Sequence, residues 1–171
     1  MLKPSSLRRH LVAAVPELKR DPDKLSIFVR DGKIATTAAG SLSFEYRYTL
    51  NLVLLDYGSH ADAIMVPVLA WLRENQPEIA DNPELRDKSV RFDVEFLNAK
   101  TVDLSVELDL TERVIVKPRA STPAPAPNPG PQVFDVKHVG EPPRPGVMPE
   151  GERWEFYLRD ELLAAWDFDP R

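Results

Sequence analysis

The prolines of this 171-residue chain are concentrated in one segment, which limits where a hydrophobic core can form. Ten of the 17 prolines lie between Pro118 and Pro149. A stretch such as PRASTPAPAPNPGP favours the extended polyproline II conformation, which separates modules and buries little surface of its own. The sequence therefore predicts three parts: a folded body of residues 1–117, a proline-rich tether of residues 118–149 and a C-terminal arm of residues 150–171.

Composition narrows the class of protein. The hydrophobic content of 43% and the charged content of 29% are typical of a soluble globular domain with one core. The chain has a net charge of −5 and lacks the basic stripe that binding to duplex DNA requires, so we expect no sequence-specific contact with nucleic acid. No apolar run is long enough to span a bilayer. The absence of cysteine excludes disulfides and thiolate metal sites and is compatible with assembly in a reducing cytoplasm.

The N-terminal segment predicts an amphipathic helix that begins near Pro4 and ends before Pro22. Apolar residues recur in it at spacings of three and four. Its apolar face comprises Leu7, Leu11, Ala14, Val15 and Leu18.

A second helix is predicted for residues 60–75, where Ser59 and Asp62 stand in capping-box register. Its apolar face comprises Ile64, Val68, Trp71 and Leu72. Pro67 lies inside this segment and removes one backbone donor. The helix either kinks at Pro67 or begins there, and the sequence leaves both open.

Alternation of apolar and polar residues predicts the strands of the body. They lie at residues 25–29, 42–54, 90–96 and 102–110, and the last can extend to Val116. Asp31-Gly32 is typical of a hairpin turn after the first strand, and residues 98–100 form the turn of a second hairpin. The predicted fold class is α+β, a mostly antiparallel sheet packed with two helices.

The arm is predicted to be a β-hairpin of residues 154–166 that turns at Arg159-Asp160, and a short strand precedes it at residues 133–139. Its apolar face would comprise Trp154, Phe156, Leu158, Leu163 and Ala165. This area is too small for independent stability. We therefore expect the hairpin to dock on an adjacent subunit or another component of an assembly.

No pattern of residues indicates an active site. Asp93, Glu95, Asp103 and Glu107 alternate with apolar residues, which places them on the solvent face of strands rather than in an acid/base pair. The three histidines have no metal-ligand spacing, and the chain lacks GxSxG, P-loop and GxGxxG motifs. We predict no catalytic, cofactor-binding or metal-binding residue.

Several residues are candidates for contacts with a partner. Arg8-Arg9 is either a basic patch for an acidic partner or a solvated helix face, and both interpretations stay open. The segment after Trp71 offers three polar side chains to a neighbouring subunit, Arg73, Glu74 and Gln76. The arm offers three aromatic side chains, Trp154, Phe156 and Trp166.

The segments MLKPxSLRxxL, SLSFEYRYTLNLVLLDY and VPVLAWLRENQPEI resemble the tail completion protein R (GpR) family of contractile-tailed phages. LTERV, HVGEPP and the terminal WEFYLRDELLAAWD extend the resemblance. It implies a structural protein without an active site, which completes the tail at its head-proximal end as a ring that stops growth of tube and sheath.

The implied partners are further copies of the chain, the tail tube and sheath proteins, and the head–tail connector or neck proteins. The implied location is the tail or neck of the virion, after assembly in the cytoplasm of the bacterial host, and tail symmetry favours six copies. Two alternatives remain: a tail-assembly chaperone that is absent from the finished particle, and a cell-wall hydrolase that uses Glu95 or Glu107.

Overall fold

The structure is a computed structural model and describes residues 1–36, 40–98, 100–119, 133–142 and 153–167. Most of the predicted tether, residues 120–132 and 143–149, lies outside the described residues, and the division into body, tether and arm remains a prediction. The described part contains a five-stranded antiparallel sheet, helices and a separate two-stranded hairpin. The predicted α+β class is confirmed.

The elements follow the chain in a simple order. The helices are α1 (Lys3–Ala14), α2 (Pro16–Arg20), α3 (Asp62–Asn75), α4 (Glu78–Asp81) and α5 (Pro83–Arg86), and a 3-10 turn spans Pro22–Lys24. The strands are β1 (Leu25–Thr36), β2 (Phe44–Tyr57), β3 (Val90–Phe96), β4 (Val102–Pro118), β5 (Phe134–Val139), β6 (Arg153–Leu158) and β7 (Glu161–Asp167). The large sheet has the order β1-β2-β4-β3, and β5 pairs with the second half of β4.

The core lies between one face of the sheet and the helices, because alternation gives β2 and β4 one apolar face each. Its buried residues from both layers include Leu50, Leu52, Leu54, Leu104, Val106, Leu108, Ile64, Val68 and Trp71. The predicted apolar face of the first helix is confirmed, since all five residues are buried. Asn51 is an exception to the alternation: it has the parity of the polar face of β2 but is buried, and its amide oxygen accepts a hydrogen bond from Ser105 at 3.0 Å.

Prolines divide the helices differently from the sequence-based prediction. The N-terminal segment is two helices, because Val15 is extended at φ −98° and ψ 117°. The ring of Pro16 disfavours the helical conformation in the residue before it. Pro67, in contrast, lies within α3, which begins at Asp62, so a helix that starts at Pro67 is excluded.

The Asp31-Gly32 pair is a β-bulge, and the predicted hairpin turn at this position is wrong. Asp31 has a φ of 50°, and the two residues stand opposite Tyr48 alone, between the pairs Arg30–Thr49 and Lys33–Arg47. An Asp-Gly pair suits a bulge as well as a turn, because both need a positive φ. The strand continues to Thr36, and the chain reverses later.

The predicted capping box at the start of α3 is also absent. The hydroxyl of Ser59 donates instead to Glu17 at 2.7 Å, and Glu17 accepts further hydrogen bonds from Gly58 N at 3.1 Å and Lys24 Nζ at 2.7 Å. A long-range acceptor has therefore replaced the local cap. Burial acts to raise the pKa of Glu17, but these hydrogen bonds outweigh burial and hold the pKa below its usual value.

We expect Glu17→Gln to lower the free energy of unfolding by about 1.5–3 kcal/mol at neutral pH, since it weakens charge-assisted hydrogen bonds. A lowered pKa stabilises the fold above the unfolded-state value, and this contribution is lost as the pH falls through the folded-state pKa. The difference between wild type and variant should therefore shrink below about pH 4.5. Urea unfolding at several pH values measures it, and a difference independent of pH would contradict the prediction.

Candidate assembly surfaces

The C-terminal hairpin packs on the helices of its own chain. Ala164 and Trp166 of β7 are buried in the main core, and β7 contacts α1 and α3. The Trp166 ring meets the His10 ring edge-on, with 5.4 Å between centroids. The expectation that the hairpin docks on another subunit or another component is therefore wrong, because α1 and α3 of the same chain cover its apolar face.

A bulge sets which face of the hairpin packs. The predicted hairpin and its turn are confirmed, and Arg159 and Asp160 have the positive φ values of 46° and 68° that such a turn needs. A register shift between Phe156 and Tyr157 moves the pairing by one residue. As a result, Ala164 and Trp166 of β7, instead of Leu163 and Ala165, share the face of Trp154 and Phe156. The packed face is thus Trp154, Phe156, Ala164 and Trp166. The predicted use of Leu163 and Ala165 was wrong.

A buried polar cluster joins the start of the chain to the end of α3 and to β2, β4 and β5 of the large sheet. This Glu112 cluster comprises Lys3, Tyr48, Gln76, Glu112, His138 and Glu141, and His138 Nδ1 lies 3.6 Å from the Glu112 carboxylate. The Glu112 carboxylate is 5% exposed and accepts hydrogen bonds from Leu2 N at 2.6 Å, Lys3 N at 3.3 Å and the Tyr48 hydroxyl at 2.5 Å. A carboxylate at this position satisfies the unpaired donors at the start of α1 and matches its dipole.

Lys3 connects this carboxylate to two further elements. Its ammonium donates to Gln76 Oε1 at 2.6 Å and to Glu141 Oε1 at 3.3 Å, so it ties α1 to the end of α3 and to the residues after β5. Burial lowers the pKa of Lys3, and Glu141 opposes that shift. The Gln76 oxygen also accepts from Thr111 N at 3.1 Å. The cluster fixes five elements relative to one another.

We expect Glu112→Gln to cost about 1–3 kcal/mol, because the amide cannot accept all the hydrogen bonds that the carboxylate accepts and brings a donor into a buried site. The matched control is Glu107→Gln, on the same strand but on the opposite face, where Glu107 forms an exposed ion pair with Arg91 at 3.3 Å. That pair should contribute at most about 1 kcal/mol. Denaturant unfolding compares the two variants, and equal losses would contradict a special role for Glu112.

A groove of 770 Å³ lies between α1, α2 and the hairpin. Three cationic side chains line it, those of Arg9, Lys19 and Arg153, against the single carboxylate of Asp167. Its other lining residues include His10 and Trp166. Burial lowers the pKa of His10, which keeps the ring neutral near pH 7. The groove is thus a basic surface on an acidic chain.

The two edges of the large sheet are the other exposed surfaces of interest. Within the described residues, β1 pairs with β2 alone and β3 pairs with β4 alone. Large apolar side chains are exposed on both edges: Phe92 by 61%, Phe96 by 80% and Ile34 by 61%. Natural edge strands usually carry charges that prevent association, so exposed aromatic residues on an edge indicate a contact surface.

The candidate interface residues from the sequence fall in different places. Arg8 donates to the carbonyls of Leu25 and Pro22 and so fastens α1 to the start of β1. Arg9 lines the groove, as does Trp166, while Trp154 and Phe156 are half-buried against the core.

Three candidates lie at the end of α3. Arg73 is exposed there, Glu74 is half-buried and Gln76 is 2% exposed within the Glu112 cluster. Gln76 therefore takes no part in the surfaces proposed below. The interface roles of the other candidates stay predictions.

Sequence reasoning missed the Glu112 cluster and the exposed aromatic residues of the β3 edge. One signal was present for the cluster: Glu112 occupies an apolar position of the alternation, between Leu110 and Val114. A charged residue in that register predicts a buried, bonded carboxylate. Phe92 and Phe96 have the parity of core residues, but the helices do not cover them at the β3 edge.

The described part of the chain thus offers a basic groove and two exposed sheet edges as candidate contact surfaces. In the part of the chain that the structure describes, no group of three or more His, Asp or Glu residues can hold a metal ion, and no helix is long and apolar enough to cross a membrane.

Comparisons with known proteins identify the family. Residues 1–142 match the family P2 phage tail completion protein R (GpR). The chain is 44% identical over 167 residues to tail completion protein R of Escherichia phage P2, which covers 98% of this chain and 99% of that protein. No solved structure shows a significant match. The chain belongs to the GpR family and has a structural role in the completion of a contractile phage tail.

Proposed function

We propose that this protein completes the tail at its head-proximal end as a closed ring of six copies. The observation that supports a ring is the pair of exposed edges, β1 and β3, on opposite sides of one sheet. A subunit with two different contact surfaces associates head to tail, and such contacts close into a ring when the rotation between subunits permits. A ring at this position ends growth of tube and sheath and joins them to the neck or connector proteins.

The charge of the chain suits a ring around a DNA channel. Six copies with a net charge of −5 carry about −30, which repels the phosphates of DNA that passes through. The sheet face opposite the helices is mixed in charge, since Arg30, Lys33, Arg47 and Arg91 lie on it beside Asp93, Glu95, Asp103 and Glu107. The repulsion of DNA therefore rests on the net charge of the ring and not on one face.

The proposal assigns no catalysis to the chain. Glu95 is exposed on β3, and Glu107 is engaged with Arg91, so the two carboxylates do not form the enclosed pair that a glycosidase needs. We also propose that the protein is assembled in the cytoplasm of the bacterial host and remains in the finished tail.

The test is a phage in which the gene is disrupted, with particles analysed by electron microscopy and protein mass spectrometry. We expect the wild-type protein in purified particles, and tails of the disrupted phage should be overlong or unable to join heads. A protein that is required for tails but absent from purified particles would support the chaperone alternative. Lysis zones against peptidoglycan would support the hydrolase.

A further inference from the structure

We propose that neighbouring copies join through their strand edges, with β1 of one copy added to β3 of the next. This inference rests on the proposed ring and names its contact. The result is one antiparallel sheet that continues around the ring.

The direction of the strands permits this pairing. The order β1-β2-β4-β3 is antiparallel at every step, so the two outer strands of this row run in opposite directions. A copy rotated about an axis along the strands keeps its strand direction. Its β1 therefore meets β3 of its neighbour in antiparallel orientation, which can form a regular hydrogen-bond ladder.

The helix-side faces of the two edges are both apolar. Phe92 and Phe96 share the face of their partners Val106 and Val102, and they project beyond the helices. On β1, Ile34 shares the face of Tyr46, and Val29, 40% exposed, shares the face of Leu50. Cross-strand neighbours point to the same side of a sheet, so an added β1 places these apolar side chains beside the β3 aromatics.

The outer faces of the two edges carry opposite charges. Arg30 and Lys33 lie on the outer face of β1, and Asp93 and Glu95 lie on the outer face of β3. All four side chains are exposed, and none forms an ion pair with another described residue. The outer face of β1 also carries Phe28, which is 50% exposed, and that of β3 carries Arg91, which is paired with Glu107 and Asp109 of its own sheet. The helix-side faces of the two edges thus match as apolar surfaces, and the charges without an ion-pair partner among the described residues are opposite in sign.

The same charges disfavour the symmetric alternatives. A two-fold contact of β3 with β3 sets Asp93 and Glu95 against their own copies, and a contact of β1 with β1 does the same to Arg30 and Lys33. Like charges across a strand pair are destabilising, whereas opposite charges favour one partner and one orientation. The unlike edges therefore select the head-to-tail contact that a ring needs.

The first test reverses the charges. One variant carries Asp93→Lys with Glu95→Lys, and the other carries Arg30→Glu with Lys33→Glu. The samples contain tail tube subunits and are separated by size before light scattering. Each variant without the other should elute at the monomer mass of 19.3 kDa, and a mixture of the two variants should elute in larger assemblies. Glu84→Lys with Glu161→Lys is the matched control, because it changes two exposed acids outside both edges and should assemble like wild type.

The second test uses the natural absence of cysteine. We introduce Arg30→Cys, Asp93→Cys or both and add a short bis-maleimide to assembled protein. The double variant should form a ladder up to the closed ring, and a mixture of the single variants should stop at dimers. Cross-links in a sample that contains only one of the single variants would overturn the proposal. This test does not depend on the charge-reversal variants, so it gives a result even when one of them fails to fold.

The outcomes separate this contact from the ring itself. If the wild-type protein stays monomeric even with tube subunits, both the ring and the edge contact fail. If it forms rings whose mass is unchanged in the charge-reversal variants, and the cysteine pairs do not cross-link, the edge contact fails and the ring stands.

Discussion

A chain that ends after Pro149, and so lacks β6 and β7, is expected to lose stability throughout the body. The hairpin contributes Trp166 and Ala164 to the core, at 5% and 0% exposure, and their removal uncovers the apolar surface of α1 and α3. Loss of one large buried aromatic residue costs about 3–5 kcal/mol, and the truncation removes more than that residue. Thermal and urea unfolding of the full-length and shortened proteins measure the loss.

Point variants make this prediction sharper, because they keep the chain intact. Trp166→Ala should reproduce most of the loss, while Tyr157→Ala, at an aromatic residue of the same hairpin that is 59% exposed, should change stability little. If the shortened protein melts like the full-length protein, the hairpin does not dock on its own body. An arm that acts on a neighbouring subunit would then be the better interpretation.

Trp71→Ala is expected to cost about 3–5 kcal/mol. Trp71 is 4% exposed between α3 and α1, and its indole nitrogen donates to the hydroxyl of Ser6 at 3.1 Å. The variant leaves a cavity between the helices and also removes this hydrogen bond. The matched control is Leu69→Ala, on the same helix but 51% exposed, for which we expect a change within about 0.5 kcal/mol. Comparable losses in the two variants would show that Trp71 is not a core residue.

Periodicity predicted the parts of the fold in which one face of an element is buried. The alternation in β2 and β4 and the helical spacing of Leu7 and Leu11 each reflect burial against a partner layer, which acts along the whole element. The errors fall where a local signal has two uses. Asp31-Gly32 suits a bulge as well as a turn, and Ser59 can cap a helix or donate to Glu17.

The exposed surfaces were harder to predict, since they depend on how far the layer of helices extends over the sheet. Phe92 has the parity of a core residue, and only the extent of the helices leaves it exposed. The hairpin register shows the same limit. Turn residues alone set Phe156 opposite Leu163, and one bulge pairs it with Ala164 instead.

The segments that carry the family resemblance meet in the Glu112 cluster. The N-terminal segment contains Lys3, SLSFEYRYTLNLVLLDY contains Tyr48, and VPVLAWLRENQPEI contains Gln76. LTERV contains Glu112, and HVGEPP contains Glu141. Segments that are distant in the sequence therefore supply one buried network, which gives these segments a shared structural role.

The central claim is a closed ring of this protein at the head-proximal end of the tail, and an electron-microscopy reconstruction of the neck tests it most directly. We predict a six-fold ring of density on the last layer of the tube, into which the sheet and helices fit, with β1 of each copy beside β3 of the next. Density for the protein at the opposite end of the tail, or its absence from tails that have joined heads, would contradict the account.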